Sequence, residues 1–416
     1  MSIIRVSHPS GIVNGKIHLD GSKSISNRAL IIRALSGQGF NLGGLSTCDD
    51  TVAMDRLLRE QGIVNDVHHA GTTFRFLTAY LALQQNTQVL TGSARMLQRP
   101  IGPLVDALRS IGCNIKYLGE EGYPPLEISA PGDMSDLKEV KISASISSQY
   151  ISALILIAPT LPNGLTIHLE GDMVSESYLK MTLATVAEFG ITASYDDKKI
   201  HIEPQDYNVK DYIVEADWSA ASYHYAIAAL AKESNIVLEG LYANSTQGDA
   251  AMSRISDSLR VSTRWEGNIA HLTNKEQGEE LNNDFINHPD IAQTVAVICA
   301  AFGTKTDFYG LKTLRIKETD RIYALDTELK KVGSSFELLR TDQDGEEHYG
   351  VGNAITKPNA IPRFDTYEDH RMAMAFAPLA LLFPIEINKP EVVTKSYPAF
   401  WEDLKKLGFE IEEVIS

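Results

Sequence analysis

A helix that is apolar nearly all the way round belongs inside a protein. This chain carries six such stretches, at residues 25–35, 73–83, 150–158, 220–231, 291–302 and 372–383, the last with Pro378 inside it. Each is opened by polar residues and followed by a short strand ending near glycine, a polar loop, an amphipathic helix closed by glycine or a small residue, and a further strand. The loop and second helix show the repeat best. Leu42-Gly43-Gly44-Leu45 leads to a helix over 50–62, Leu90-Thr91-Gly92 to one over 99–112, and Leu169-Glu170-Gly171-Asp172 to one over 177–190. The second half answers with Leu238-Glu239-Gly240 before 249–259, Phe308-Tyr309-Gly310 before 318–333, and Val392-Val393-Thr394 before 398–408. Three buried helices per half predict an α/β fold in which each domain wraps its sheets around a small helical bundle. The commoner α/β arrangement puts the helices outside the strands.

At 416 residues the chain exceeds what one core usually supports, so two domains are expected. The chain crosses between halves near residues 18–21 and again near 211–217. That assigns 21–215 to one domain and 1–20 plus 216–416 to the other, discontinuous one, with two linkers side by side as a hinge. A formal charge of −16 argues against nucleic acid or an anionic membrane as partner. Residues 1–6 lack the parts of a secretion signal, and no apolar run is long enough to span a bilayer, so a cytoplasmic monomer is expected. Cys48, Cys113 and Cys299 are widely spaced and lack metal-binding or CxxC spacing, which makes them buried or idle thiols.

Polar residues collect at the same two places in each unit. Before the apolar helices sit Lys23, Ser24 and Arg28; His69, Gly71, Thr72 and Arg75; Ser147, Ser148 and Gln149; Asp217 and Ser219; Asp290; and Asp369, His370 and Arg371. Before the amphipathic helices sit Arg95 and Arg99; Ser175 and Tyr178; Asn244 and Ser245; the run from Arg315 to Arg321; and Lys395. A helix starting near Thr319, with Asp320 in its first turn, would gather Lys317, Glu318 and Arg321 at an N-terminus that favours anions. Singly, each of these residues has a plain structural explanation: Ser147 and Ser148 as N-caps, His370 beside Asp369 as a packed pair, the charge run as a solvated face. If equivalent ends of the repeats face one another, however, the loops converge on one cleft rich in Lys, Arg, Ser and Gln, the inventory for binding phosphate and carboxylate.

Gly21-Ser22-Lys23-Ser24-Ile25-Ser26-Asn27-Arg28, Ala70-Gly71-Thr72, Arg99-Pro100-Ile101-Gly102, Ser147-Ser148-Gln149, Arg315-Ile316-Lys317-Glu318-Thr319-Asp320-Arg321 and Asp369-His370-Arg371-Met372-Ala373-Met374 together resemble the 5-enolpyruvylshikimate-3-phosphate synthase family. The resemblance runs from about residue 11 to 395. It implies two inside-out α/β domains of three repeats each, with the ligands between them. It also implies transfer of the enolpyruvyl group of phosphoenolpyruvate to the 5-hydroxyl of shikimate 3-phosphate by addition and elimination, in the route to chorismate and aromatic amino acids. By the family pattern Lys23 touches both substrates, and Ser24, Arg28, Ser147, Ser148, Gln149, Ser175, Tyr178, Asp290 and Lys317 match shikimate-phosphate positions. Gly71, Arg99, Gln149, Arg321, Arg371 and Lys395 match the phosphoenolpyruvate pocket. Asp290 matches the base and Glu318 is the candidate acid, exchanging protons with Lys23. A carboxylate between Lys317 and Arg321 has a depressed pKa unless it is desolvated, so the acid role requires burial. No metal or organic cofactor is implied, because phosphoenolpyruvate brings its own leaving group.

The chain departs from the family pattern at His69, where Asn is common, and at Thr313, where an Asn often contacts the shikimate ring; neither Asn role is carried over. The segment 62–68 is also short. Thr73 and Phe76 stand where Ala and Pro are common, which alters the shape around Gly71 and with it tolerance of glyphosate, in a direction the sequence does not fix. Three rival readings are a UDP-N-acetylglucosamine enolpyruvyl transferase, a non-catalytic module binding phosphorylated metabolites, and a purely structural repeat array. The first family carries a Cys in the loop before its Arg-Pro, and residues 93–99 have none. Lys23, Asp290, Glu318 and Arg371 together argue against the second, and structural arrays seldom need buried cations.

Overall fold

All six apolar stretches are helical, over Lys23–Leu35, Gly71–Leu81, Ser148–Ile157, Trp218–Leu230, Ala292–Phe302 and His370–Phe376. Every residue of Trp218–Leu230 except Ser219 is buried, as composition that leaves no polar face requires. The sixth helix is shorter than its apolar pattern: it stops at Phe376 and continues as a 3-10 turn, Ala377–Leu381. Pro378 lacks an N–H and its ring crowds the preceding turn, so the α-helical hydrogen bonds cannot continue through it. This computed structural model describes residues 2–60, 62–134, 138–145, 147–196, 198–276, 278 and 280–414.

The chain forms two units, Gly21–Val214 on the one hand and Met1–Asp20 with Glu215–Ser416 on the other. In each, three of the buried helices pack on one another: the first three in Gly21–Val214, the last three in the other unit. Sheets cover them. In the third repeat Glu139–Ser143 and Leu165–Glu170 are parallel, joined through the buried helix Ser148–Ile157. Lys199–Ile202 and then Ala193–Asp196 extend the sheet antiparallel, so the spatial order is first, second, fourth, third strand. The same order recurs in all five four-stranded sheets among the described residues. This is the inside-out α/β architecture of six repeats, with sheets outside and helices within.

The second helix of each repeat keeps one apolar face. These helices are Asp49–Glu60, Gly102–Ser110, Glu176–Glu188, Met252–Ser258, Arg321–Lys330 and Phe400–Lys406. Against the expected start near Thr319, the fifth begins at Arg321. Asp320 stands outside it as the N-cap, its carboxylate accepting from the Tyr323 N–H at 3.1 Å. Asp competes for backbone N–H groups best from that position, so it terminates the helix instead of joining its first turn.

Three strands are borrowed across the chain. The first repeat is reduced to Leu42–Gly43 paired in parallel with Tyr212–Ile213, which lies at the far end of the same unit. Ile12–His18 pairs in parallel with Glu233–Glu239, serving as the first strand of the fourth repeat. Ile3–Ser7 lies between Ile385–Asn388 and Glu410–Glu413, completing the sixth. The cysteines Cys48, Cys113 and Cys299 are buried free thiols.

Gly21 follows these N-terminal strands, and a Cβ there would lie 1.7 Å from the carbonyl oxygen of Gly44. Backbone cannot yield that far without moving the start of the first buried helix. Gly21→Ala is therefore expected to cost at least about 2–3 kcal/mol in urea denaturation. Gly39→Ala, where no atom lies within 4 Å, serves as the neutral control; equal stability of the two variants would contradict the close approach.

Candidate active site

The polar openings of the buried helices form two clusters, one in each unit. In Gly21–Val214, Lys23 begins the first buried helix and its Nζ lies 3.4 Å from Asp50 Oδ2, at the start of the neighbouring amphipathic helix. One turn on, Arg28 is 2% exposed and donates to Thr182 Oγ1 (2.8 Å), Ser152 Oγ (3.2 Å) and the carbonyl oxygens of Ser24 (2.8 Å) and Tyr178 (3.2 Å). The Phe76 ring lies 5.4 Å from its Cζ. All these partners are neutral, and burial pulls the Arg28 pKa down to about 10, with Tyr178 opposing. Ser175, in the left-handed region at φ 56°, starts the helix that carries Tyr178 and Thr182. Lys23, Ser24, Arg28, Ser175 and Tyr178 are thus gathered by one buried guanidinium and its helix.

The other candidates of this unit meet around Gly71. A Cβ at Gly71 would lie 2.4 Å from Arg99 Nη1 and 2.8 Å from Arg75 Nη1, so only glycine lets the two guanidinium groups close over this backbone. Gln149 Nε2 donates to Thr72 Oγ1 at 3.0 Å, bringing the third buried helix to the same segment. Ser147 caps that helix, its hydroxyl accepting from the Gln149 N–H at 3.3 Å, with Ser148 as the first helical residue. Thr73 Oγ1 donates to the Asp50 carbonyl at 2.8 Å, tying the Gly71 segment to the acid that faces Lys23. His69 points elsewhere, to Ser93 Oγ at 3.0 Å, in an exposed position.

In the other unit the charges are denser. Arg321 is 1% exposed and binds Asp369 through Nε (2.7 Å) and Nη2 (3.3 Å), Asp290 through Nη1 (2.9 Å) and Glu318 through Nη2 (3.0 Å). Burial alone would lower its pKa; the carboxylates of Asp369, Glu318 and Asp290 more than reverse that, and the guanidinium is held above its ordinary value. A guanidinium has five N–H groups, and four of these directions are taken up by carboxylates. Asp290 also faces Arg371 Nη2 at 3.2 Å and Lys317 Nζ at 3.8 Å. Burial pulls the Lys317 pKa down, against the pull of Asp290. Glu318 has one oxygen on Arg321 and the other on Lys395 Nζ at 2.8 Å. Asp290, Lys317, Glu318, Arg321, Arg371 and Lys395 therefore form a single network.

Four members of these clusters were not among the residues singled out as a site from the sequence. Arg75 was noted only for its place before a helix, although it shares Gly71 with Arg99. Asp50 and Asp249 were read as helix starts, yet Asp50 faces Lys23, and Asp249 accepts from Ser219 Oγ in the other unit. Asp369 was expected beside His370, and its Oδ1 lies 3.7 Å from His370 Nδ1; it serves in addition as the N-cap of the sixth buried helix and as the two-point partner of Arg321. The signal available was the repeat itself, since Asp50 and Asp249 occupy corresponding places in the first and fourth units.

Removing the hub of the second cluster should be costly. Arg321→Met would leave Asp290, Glu318 and Asp369 facing one another without the cation that joins them, and a loss of about 3–5 kcal/mol is expected on denaturation. A variant within about 1 kcal/mol of the parent would show that the three carboxylates do not depend on it.

A family model described as EPSP synthase (3-phosphoshikimate 1-carboxyvinyltransferase) matches residues 8–69 and 61–404. A protein of Bacteroides fragilis (strain YCH46) named 3-phosphoshikimate 1-carboxyvinyltransferase is 47% identical over 410 residues, covering 98% of each chain. One of the same name from Photobacterium profundum is 35% identical over 430 residues, covering 96% of this chain and 98% of the relative. Among solved structures, an EPSP synthase from Acinetobacter baumannii superposes with a TM-score of 0.77 over the whole of both chains at 21% identity.

Proposed function

We propose that this chain, which belongs to the EPSP synthase family, is a 3-phosphoshikimate 1-carboxyvinyltransferase that moves the enolpyruvyl group of phosphoenolpyruvate onto the 5-hydroxyl of shikimate 3-phosphate. The observation that carries the reading is the network of Asp290 and Glu318 with Lys317, Arg321, Arg371 and Lys395. Two carboxylates able to move protons lie among four cations able to hold a phosphorylated carboxylate. Lys23, Arg28, Arg75 and Arg99 supply a second basic set, and both substrates are polyanions. The acidity of the whole chain is no obstacle when its cations are concentrated in this way.

In the addition step Asp290 takes the proton of the 5-hydroxyl as its oxygen attacks C2 of phosphoenolpyruvate, while a proton from Glu318 or Lys23 reaches C3. In the elimination step C3 gives up a proton and phosphate leaves C2, restoring the double bond in the product. Lys23 bridges the substrates. Ser24, Arg28, Ser147, Ser148, Gln149, Ser175, Tyr178 and Lys317 hold shikimate 3-phosphate. Gly71, Arg99, Gln149, Arg321, Arg371 and Lys395 hold phosphoenolpyruvate, with Arg75 beside Arg99. Arg321 can take a substrate carboxylate by two N–H groups only if Asp290 or Glu318 withdraws from it. Arrival of phosphoenolpyruvate thus releases the groups that then act as base and acid.

Glu318→Gln keeps the shape of the side chain and removes the transferable proton. Its kcat is expected to fall about a hundredfold or more, with both KM values within about threefold; an unchanged kcat removes Glu318 from the chemistry. Phosphate release is expected with both substrates present, and with neither one alone. Release with UDP-N-acetylglucosamine in place of the shikimate would reassign the acceptor, and silence under every condition would leave a binding module.

The enzyme works as a cytoplasmic monomer in this reading. No helix among the described residues is long and apolar enough to cross a membrane.

A further inference from the structure

We propose that Asp249 is a positioning residue for Arg371, acting through the hydroxyl of Ser219. Asp249 lies in the short 3-10 turn Gly248–Ala251, is buried, and its Oδ2 accepts a hydrogen bond from Ser219 Oγ. Among the described residues no Lys or Arg lies within ion-pair distance of it. Ser219 Oγ accepts in turn from Arg371 Nη2 at 3.3 Å. The same nitrogen lies 3.2 Å from Asp290 Oδ2, and Nη1 donates to the Asp290 carbonyl oxygen at 3.0 Å and the Tyr223 hydroxyl at 3.4 Å. The side chains therefore run Asp249, Ser219, Arg371, Asp290.

The direction of that chain is forced. A guanidinium has donors only, so Ser219 can hold Arg371 only with a lone pair, and its single proton must go elsewhere. Asp249 accepts it. With no acceptor there, the hydroxyl is free to turn its proton toward Arg371, and the guanidinium loses the contact that opposes Asp290. Arg371 would then settle on Asp290, occupying both the proposed base and the cation meant for substrate. The first repeat also places an acid at the corresponding position, but there Asp50 faces the cation Lys23 directly, without an intervening hydroxyl.

Asp249 occupies this place at a cost in stability. Burial first, then the charge of Asp290, push its pKa up to about 7; Asp217 adds to the rise, while Arg371 and the Ser219 hydrogen bond oppose it. The folded value lies above the unfolded one, so this group's contribution to stability is fully present below about pH 4 and is lost as the pH rises through about 7. A residue retained for stability alone would not behave so, and a neutral isostere should stabilise the protein at alkaline pH while a positioning role is read in kinetics.

The inference rests on Arg371 serving phosphoenolpyruvate, and the test separates the two. Asp249→Ala and Ser219→Ala are each expected to raise the KM for phosphoenolpyruvate about tenfold, the size of one lost hydrogen bond to a charged group, with the KM for shikimate 3-phosphate within about twofold. The double variant should be no worse than either single, because both break the same chain. Asp249→Asn, whose amide oxygen still accepts the Ser219 proton, should keep the KM within about threefold and melt above the parent at pH 8 but not at pH 4. Should Asp249→Ala fail to fold, Ser219→Ala and Asp249→Asn carry the test. Additive effects, equal changes in both KM values, or no change in Ser219→Ala would overturn the positioning role. If Arg371→Lys also leaves the KM for phosphoenolpyruvate unchanged, the site reading falls; if it raises that KM while the Ser219 variant does not, only this inference falls.

Discussion

Six helices with no polar side must be covered on every side, and the rest of the structure follows from that constraint. A helix packed on one sheet leaves half its circumference in water, which is affordable only when that half is polar. Here the helices cover one another in threes and the sheets cover the remainder. Polar side chains are then tolerated at the helix openings, where unsatisfied N–H groups and loop backbone already require hydrogen-bond partners. That is where Lys23, Ser147, Asp290 and Asp369 stand. The same burial that stabilises the core also places these polar groups at its margin, since hydrophobic packing fixes the helices whose first residues carry them.

Once cations are held at the margin of an apolar core, each has to be answered. The two clusters answer differently. Arg28 is surrounded by hydroxyls and carbonyl oxygens, which satisfy its donors and leave its charge uncompensated. Arg321 is surrounded by carboxylates that neutralise it several times over. One arrangement leaves an attraction for anions in place. The other occupies the nitrogen atoms of its guanidinium with acidic side chains.

The repeat was legible in the sequence because full-circumference apolarity is a property of composition over ten residues or more, and it survives loose spacing. The stop at Phe376 was half legible: Pro378 was in view, but only the structure shows the segment continuing as a 3-10 turn. The start at Arg321 was misplaced by two residues because Asp favours both an N-cap and a first turn. Leu42–Gly43 was legible as a short strand ending near glycine, but no local pattern says that Tyr212–Ile213 will pair with it. Within the site, types and order of residues were legible through the family resemblance. Connections such as Asp249 to Ser219 were not, because they depend on side-chain reach between segments 30 residues apart. Thr73 shows the same limit: its hydroxyl reaches the Asp50 carbonyl, which links Gly71 to Lys23 by a path no motif contains.

The borrowed strands have a consequence for the order in which the protein is made. The unit Gly21–Val214 is continuous and has every strand it needs once Tyr212–Ile213 has been synthesised. Ile3–Ser7 is made well before the strands on either side of it, Ile385–Asn388 and Glu410–Glu413. On the ribosome this strand must wait for both neighbours until those later segments emerge, and its pairing closes a long loop. Completion of the second unit is thereby tied to the emergence of Glu410–Glu413, so a product truncated before Ile385 would carry one whole unit and one with an open edge.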